Sequence, residues 1–225
     1  MAKPFYITSG TLRSLLVALL GLCSATVSHA SAWELIRDEA AIQVFARVVP
    51  GSKIKELKGI TQIQAPLAGV VTLLQDAEAN IEWVYHSGGV KVLRQVSERE
   101  AYVYAITEAP WPISDRDAVI QFSLQQNPQN RVVTITMSGY PDYIKPQQSY
   151  VRMPVFQGFW QLTPLPNGRV EIVCQLHAEP GGFIPDWLAN SAAQKAAYQT
   201  LVNLRNIISR QKYQNATLNF IQEPL

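Results

Sequence analysis

Three side chains beyond residue 32 carry the groups that nucleophilic, acid–base or metal chemistry would need: His86, His177 and Cys174. The two imidazoles stand far apart, with no Cys-x-x-Cys and no His-Glu-x-x-His spacing around them, so they do not compose a zinc site. His86 runs into Ser87-Gly88-Gly89 and reads as part of a turn, and His177 reads as the end of a strand. Cys174 alternates with Ile172 and Leu176, which makes it a buried, inert thiol, and no base is spaced to activate it. No catalytic residue, metal or cofactor is therefore expected. Arg116 and Asp117 hold the other chemistry. Neighbours in a strand point to opposite faces, so one enters the interior while the other pairs outward, and a buried Arg116 needs a carboxylate or the polar group of a ligand. Just before them, Pro110 and Pro112 stiffen a loop that Trp111 and Ile113 make bulky. That loop is either a lid near a cavity mouth or a proline-rich turn with Trp111 in the core.

The elements that hold these residues are mostly β. Ile42 to Val48 and Ile54 to Ile63 are β-rich runs parted by the turn Pro50-Gly51-Ser52. From Pro66 to about Trp83 the apolar residues Leu67, Val70, Val71 and Leu74 recur at helical spacing, and Asp76-Ala77-Glu78 breaks this segment in two. Four more strands follow, near Ala118 to Leu124, Arg131 to Ser138, Val151 to Thr163 and Arg169 to His177, with turns at Asn127 to Asn130 and Pro164 to Gly168. A long amphipathic helix spans Pro185 to Ile208, its stripe made of Leu188, Ala192, Ala193, Ala196, Ala197, Leu201, Leu204 and Ile208. Four alanines make the middle of that stripe shallow. Either the sheet comes very close there or room is left.

Composition narrows the class. Of 225 residues 48% are hydrophobic and 16% charged, against a usual charged share of about a quarter, which excludes a disordered chain. Lys plus Arg count 19 and Asp plus Glu 17, and the first 32 residues hold Lys3 and Arg13 with no acid. Setting those two aside leaves a neutral protein without the basic field that captures nucleic acid. The same segment reads as a cleaved export signal over residues 1–32: a positive lead, the apolar run Leu15 to Leu22, and Ala30-Ser31-Ala32 as a small-x-small cleavage site before Trp33, with a cut after Ala30 the close alternative. The apolar run falls short of the ~20 residues a spanning helix needs. Leu22 is too large for a lipid-attachment signal at Cys23. Removal of Cys23 leaves Cys174 alone, so the fold must stand on its core, which one domain of this length can supply. The expectation is an exported, periplasmic or otherwise extracytoplasmic monomer with a domain over residues 33–212 and a tail over 213–225.

Two stretches resemble a known family. Trp111-Pro112-Ile113-Ser114-Asp115-Arg116-Asp117 is similar to the Pro-x-Ser-x-Arg-Asp stretch of START domains, the steroidogenic acute regulatory protein-related lipid transfer domains. Gly181-Gly182-Phe183-Ile184-Pro185-Asp186-Trp187-Leu188-Ala189-Asn190 resembles their approach to the last helix, and Gly158-Phe159-Trp160-Gln161-Leu162 and His177-Ala178-Glu179-Pro180 fit as well. The resemblance implies an α+β helix-grip fold, a curved antiparallel sheet wrapped around a long C-terminal helix with an internal hydrophobic cavity. It also implies non-catalytic binding and transfer of a lipid or other hydrophobic small molecule, with transient contact with a membrane. The residues assigned to the ligand are Trp111, Ile113, Arg116, Trp160, Ile184, Leu188, Ala192 and Ala196. Phospholipid carriers of the family turn basic side chains toward a headgroup phosphate, whereas Ala79-Asn80-Ile81-Glu82 offers no cation, which leaves sterol-like, isoprenoid or fatty ligands more open, with Arg94 or Arg116 in reserve. Grip folds also host cyclases, dehydratases and hydrolases, so a small-molecule enzyme is the alternative, and a ligand-sensing partner of an envelope protein is a third.

Overall fold

The computed structural model describes residues 32–224 together with Met1; the expected export signal, apart from Met1 and Ala32, and the alternative cut after Ala30 lie outside the described residues. Among the described residues ten strands form one sheet, nine of them in the order β1-β2-β3-β10-β9-β7-β6-β5-β4, antiparallel throughout this path. They are β1 Glu34–Glu39, β2 Ile42–Arg47, β3 Glu56–Gln64, β4 Ser87–Ser97, β5 Glu100–Thr107, β6 Arg116–Gln126, β7 Val133–Gly139, β8 Val151–Arg152, β9 Val155–Leu165 and β10 Arg169–Glu179. The short β8 lies parallel to the start of β6, with Arg116 opposite Val151. Met153 and Pro154 separate β8 from β9, so the strand expected from Val151 to Thr163 is two strands. Proline has no N–H to give to a ladder.

Period-two alternation decides which face of the sheet is apolar. Val170 and Ile172 of β10, Leu162 of β9, Val133 and Ile135 of β7 and Ile42 and Val44 of β2 share the concave face and are almost fully buried. Helix α3, Asp186–Ile207, lies across that face, one residue inside each end of the expected span. It packs against Gly59 of β3, where a Cβ would come within 2.6 Å of Leu201 Cδ1, so the missing side chain is what lets helix and strand touch there. Helices α1, Leu67–Gln75, and α2, Asn80–Trp83, are the two halves of the expected helix, broken at Asp76.

The last residues are integral to this body. After α4, Gln211–Gln214, the chain returns to α1. Tyr213 is fully buried and its hydroxyl donates to Asp76 at 2.9 Å, while the Glu223 carboxylate accepts the backbone N–H groups of Leu67 and Ala68 at 3.0 and 2.8 Å. A carboxylate there satisfies otherwise unpaired donors at the positive end of α1. The segment expected as a tail from residue 213 is thus packed, with Ile221 in the core.

Candidate functional site

Both walls of the grip loosen toward one end. On β10 burial is nearly complete at Val170 and Ile172 and only partial at Cys174, Leu176 and Ala178; on β9 it falls from Leu162 and Trp160 to Gly158 and Phe156. Helix α3 follows the same gradient. Leu201 and Leu204 are sealed, whereas Ala189, Ala193 and Ala197 of its N-terminal half are only partly buried. Small or incompletely covered apolar side chains thus face one another beneath the first half of α3.

Three segments gather at the loosened end. The loop 109–115 leads into β6, residues 181–185 lead into α3, and β8 lies beneath them. Arg116 links the three: its Nη1 donates to the Ser114 carbonyl, Val151 lies opposite it in the ladder, and a Cβ on Gly182 would sit 3.9 Å from its Nη2. Gly181 and Gly182 both adopt left-handed backbone, φ +64° and +63°, which side chains with a Cβ rarely tolerate, and this turn brings the chain over the guanidinium.

Arg116 and Asp117 do divide between the faces, and both are buried. Asp117, on the outer side, is fully paired: Arg152 Nε and Nη2 donate to its two oxygens at 2.8 and 2.9 Å, and the Tyr104 hydroxyl donates at 2.8 Å. Burial by itself would raise the Asp117 carboxyl, but the bonds from Arg152 and Tyr104 outweigh it and hold the group below its ordinary value. Arg152 also donates to the Pro141 and Ile144 carbonyls, which ties the loop after β7 over the pair. Arg116, on the concave side, is 5% exposed and has no carboxylate partner among the described residues. Its Nε is buried with no hydrogen bond, and burial pushes the guanidinium below its ordinary pKa, with the nearby Asp115 charge offsetting part of that. The Asp115 carboxylate is itself occupied by the Ala109 N–H at 2.9 Å. The expected choice between a carboxylate and a ligand is thereby narrowed: among the described residues no carboxylate pairs with Arg116.

The other expected residues separate into groups. Trp111 is 92% exposed, which removes the alternative that it is core. Ile113, Ile184, Leu188 and Ala196 are partly buried. Trp160 belongs to the sealed floor, edge-on to Trp83 with ring centroids 5.9 Å apart. Ala192 is exposed and does not face the interior. Its assignment fails for a geometric reason: at about 100° per residue Ala192 lies roughly 120° around the helix from the sealed Leu204, whereas Ala193 and Ala197 each lie within about 20° of it and hold the buried face instead. Two residues that sequence reasoning missed stand at the entry to α3, after the turn that covers Arg116: Phe183, 98% exposed, and Trp187, 72% exposed. Their signal was aromatic bulk at a loop-to-helix junction that matched neither apolar period. Cys174 faces the loosened space, and apolar surroundings push its thiol up to about 12. Two shallow surface clefts lie elsewhere, beside the C-terminal segment and at the far end of α3, and neither borders these residues.

Comparison with known proteins follows this geometry. A START domain profile matches residues 19–213. The chain belongs to the START domain family. An uncharacterized protein of Pseudomonas aeruginosa is 33% identical over 197 residues, spanning 88% of this chain and 96% of its relative. A crystallised fragment of a STAR-related lipid transfer protein from Xanthomonas axonopodis is 34% identical with a TM-score of 0.73, covering 79% of this chain and 99% of the fragment. Human STARD10 shares the fold at 19% identity and a TM-score of 0.70, over 81% of this chain and 74% of its own. The START assignment accounts for the curved sheet and its gripped helix, and with them for hydrophobic ligand binding as the general activity.

Proposed function

We propose that this START protein carries a lipid or similar hydrophobic molecule in the space beneath the N-terminal half of α3 and exchanges it with membranes at the end marked by Trp111, Phe183 and Trp187. The observation that carries the reading is the shared loosening of both apolar walls toward that end, from Ile172 to Leu176 on β10 and from Leu204 to Ala193 on α3. Burying about 300 Å² of a ligand's apolar surface there would contribute several kcal/mol at about 25 cal/mol per Å², before the cost of association. The exposed Trp111, Phe183 and Trp187 on the two segments that meet at Arg116 suit the headgroup boundary of a bilayer, where aromatic rings are accommodated. The similarity to a STAR-related lipid transfer protein at 34% identity supports the same direction. An exported monomer that works outside the cytoplasm fits the character of residues 1–32. Transfer of a fluorescent acyl lipid from donor to acceptor vesicles tests the proposal. The protein should accelerate it in proportion to its concentration, and a rate equal to that of buffer alone would refute the carrier.

A further inference from the structure

The Arg116 guanidinium is the one buried cation of the concave face without a carboxylate in contact, among the described residues. Only Nη1 is engaged, with the Ser114 carbonyl, and that leaves the Nε edge facing no protein acceptor. The two acids adjacent to it in sequence have other commitments. Asp117 points to the opposite face and is held by Arg152 and Tyr104, and Asp115 accepts from the Ala109 N–H. Trp83 adds to the asymmetry: its indole N–H, also buried, lacks a partner as well, and the third such atom among the described residues, His177 Nδ1, is on β10 out of phase with the concave Cys174 and Leu176, so the unpaired polar atoms other than His177 Nδ1 are donors. A ligand that completes this interior supplies acceptors. The position of Arg116 says where. It is the first residue of β6, at the loosened end, with Gly182 above it and the apolar positions Ala118 and Ile120 following on the same face of the strand.

We infer that the carried molecule is an acidic amphiphile, an apolar chain or ring system ending in a compact carboxylate or phosphate that the Nε edge of Arg116 binds just inside the opening. The inference rests on the carrier reading and adds the head chemistry. A guanidinium presents parallel N–H donors that match two oxygens of one anionic group, a fit that a single hydroxyl cannot complete. Seated there, the head lies next to the exposed aromatics of the opening while the tail runs beneath α3 toward Leu201, so the polar end enters last and leaves first.

The test compares three ligands of one chain length on the full protein: oleic acid, oleyl phosphate and oleyl alcohol, each displacing a bound environment-sensitive fluorophore at pH 7.5 in 0.5 M NaCl, where attraction to surface charge is screened. Both anions should bind at least tenfold more tightly than the alcohol, and the ratio between them names the head. Arg116→Met should bring all three within twofold of one another without weakening the alcohol, and Arg116→Lys should restore part of the preference. Circular dichroism and the thermal midpoint establish that each variant is folded, and the wild-type comparison stands without them. Alcohol binding equal to that of the anions overturns the inference while leaving the carrier intact, as expected of a guanidinium satisfied by water. Anion preference that survives in folded Arg116→Met overturns it as well. Binding of none of the three overturns both.

Discussion

One peptide bond separates two opposite electrostatic solutions at the start of β6. Asp117 is buried and fully paired, whereas Arg116 is buried and nearly unpaired. Removing one partner of a buried pair leaves the other uncompensated, so Asp117→Ala should cost about 3–5 kcal/mol in denaturant unfolding at pH 7. Because folding depresses the Asp117 pKa, its contribution is complete above the unfolded value of about 3.9 and is lost as pH falls through the folded one. The gap between wild type and variant should therefore shrink below about pH 4, and a gap constant from pH 7 to pH 3 would contradict the assignment. Trp111 belongs to the other extreme. At 92% exposure it contributes contact with what lies outside the protein, so Trp111→Ala should leave stability within about 0.5 kcal/mol while slowing lipid exchange between vesicles. A large loss of stability, or an unchanged exchange rate, would remove Trp111 from the opening.

Helix α3 has two halves with different duties. Leu201 meets Gly59 in closed packing, and Leu201→Ala should cost about 2–5 kcal/mol. Ala193 lies over the loosened half. In a tight core Ala193→Phe would cost about 1–3 kcal/mol by overpacking, but here the ring should enter the ligand space, leaving the delipidated protein as stable as wild type and unable to take up a fluorescent fatty acid. Ala192→Phe is the exposed control and should change neither property. Lost stability with retained uptake in Ala193→Phe would place packed protein where the account places ligand. The helix ends were legible in the sequence because Leu201, Leu204 and Ile208 repeat at helical spacing and Pro185 marks the start. Its rotation was not, since alanine is apolar enough to sit on either side. Strands β1, β4 and β5 escaped notice for a related reason: β1 and β4 are the sheet edges, their side chains stay largely solvated on both faces, and register shifts interrupt the β4 alternation. The opposite facing of Arg116 and Asp117 follows from period two alone. That Asp117 would be the paired one depends on Arg152, 35 residues away, and no local pattern reports such a partner.

Among the described residues of the domain, burial is complete toward one end of the grip and partial toward the other. Tyr213, Ile221 and Glu223 fasten the C-terminal segment to α1, while the end bearing Trp111, Phe183 and Trp187 is built from loops on a rigid sheet. The proposed carrier needs access to membranes. The positive, apolar and small-residue sequence of residues 1–32 predicts delivery across one, so N-terminal sequencing of the protein from the cell envelope should read from Trp33 or Ser31, and an intact Met1 would contradict export with cleavage. The central claim is that the space beneath α3 holds a hydrophobic molecule. Mass spectrometry of organic extracts from wild type and Ala193→Phe, both purified without detergent, tests it most directly. The account predicts a hydrophobic species near one equivalent per wild-type chain and its loss from the folded variant; extracts of the two that match each other, or a blank, would contradict it.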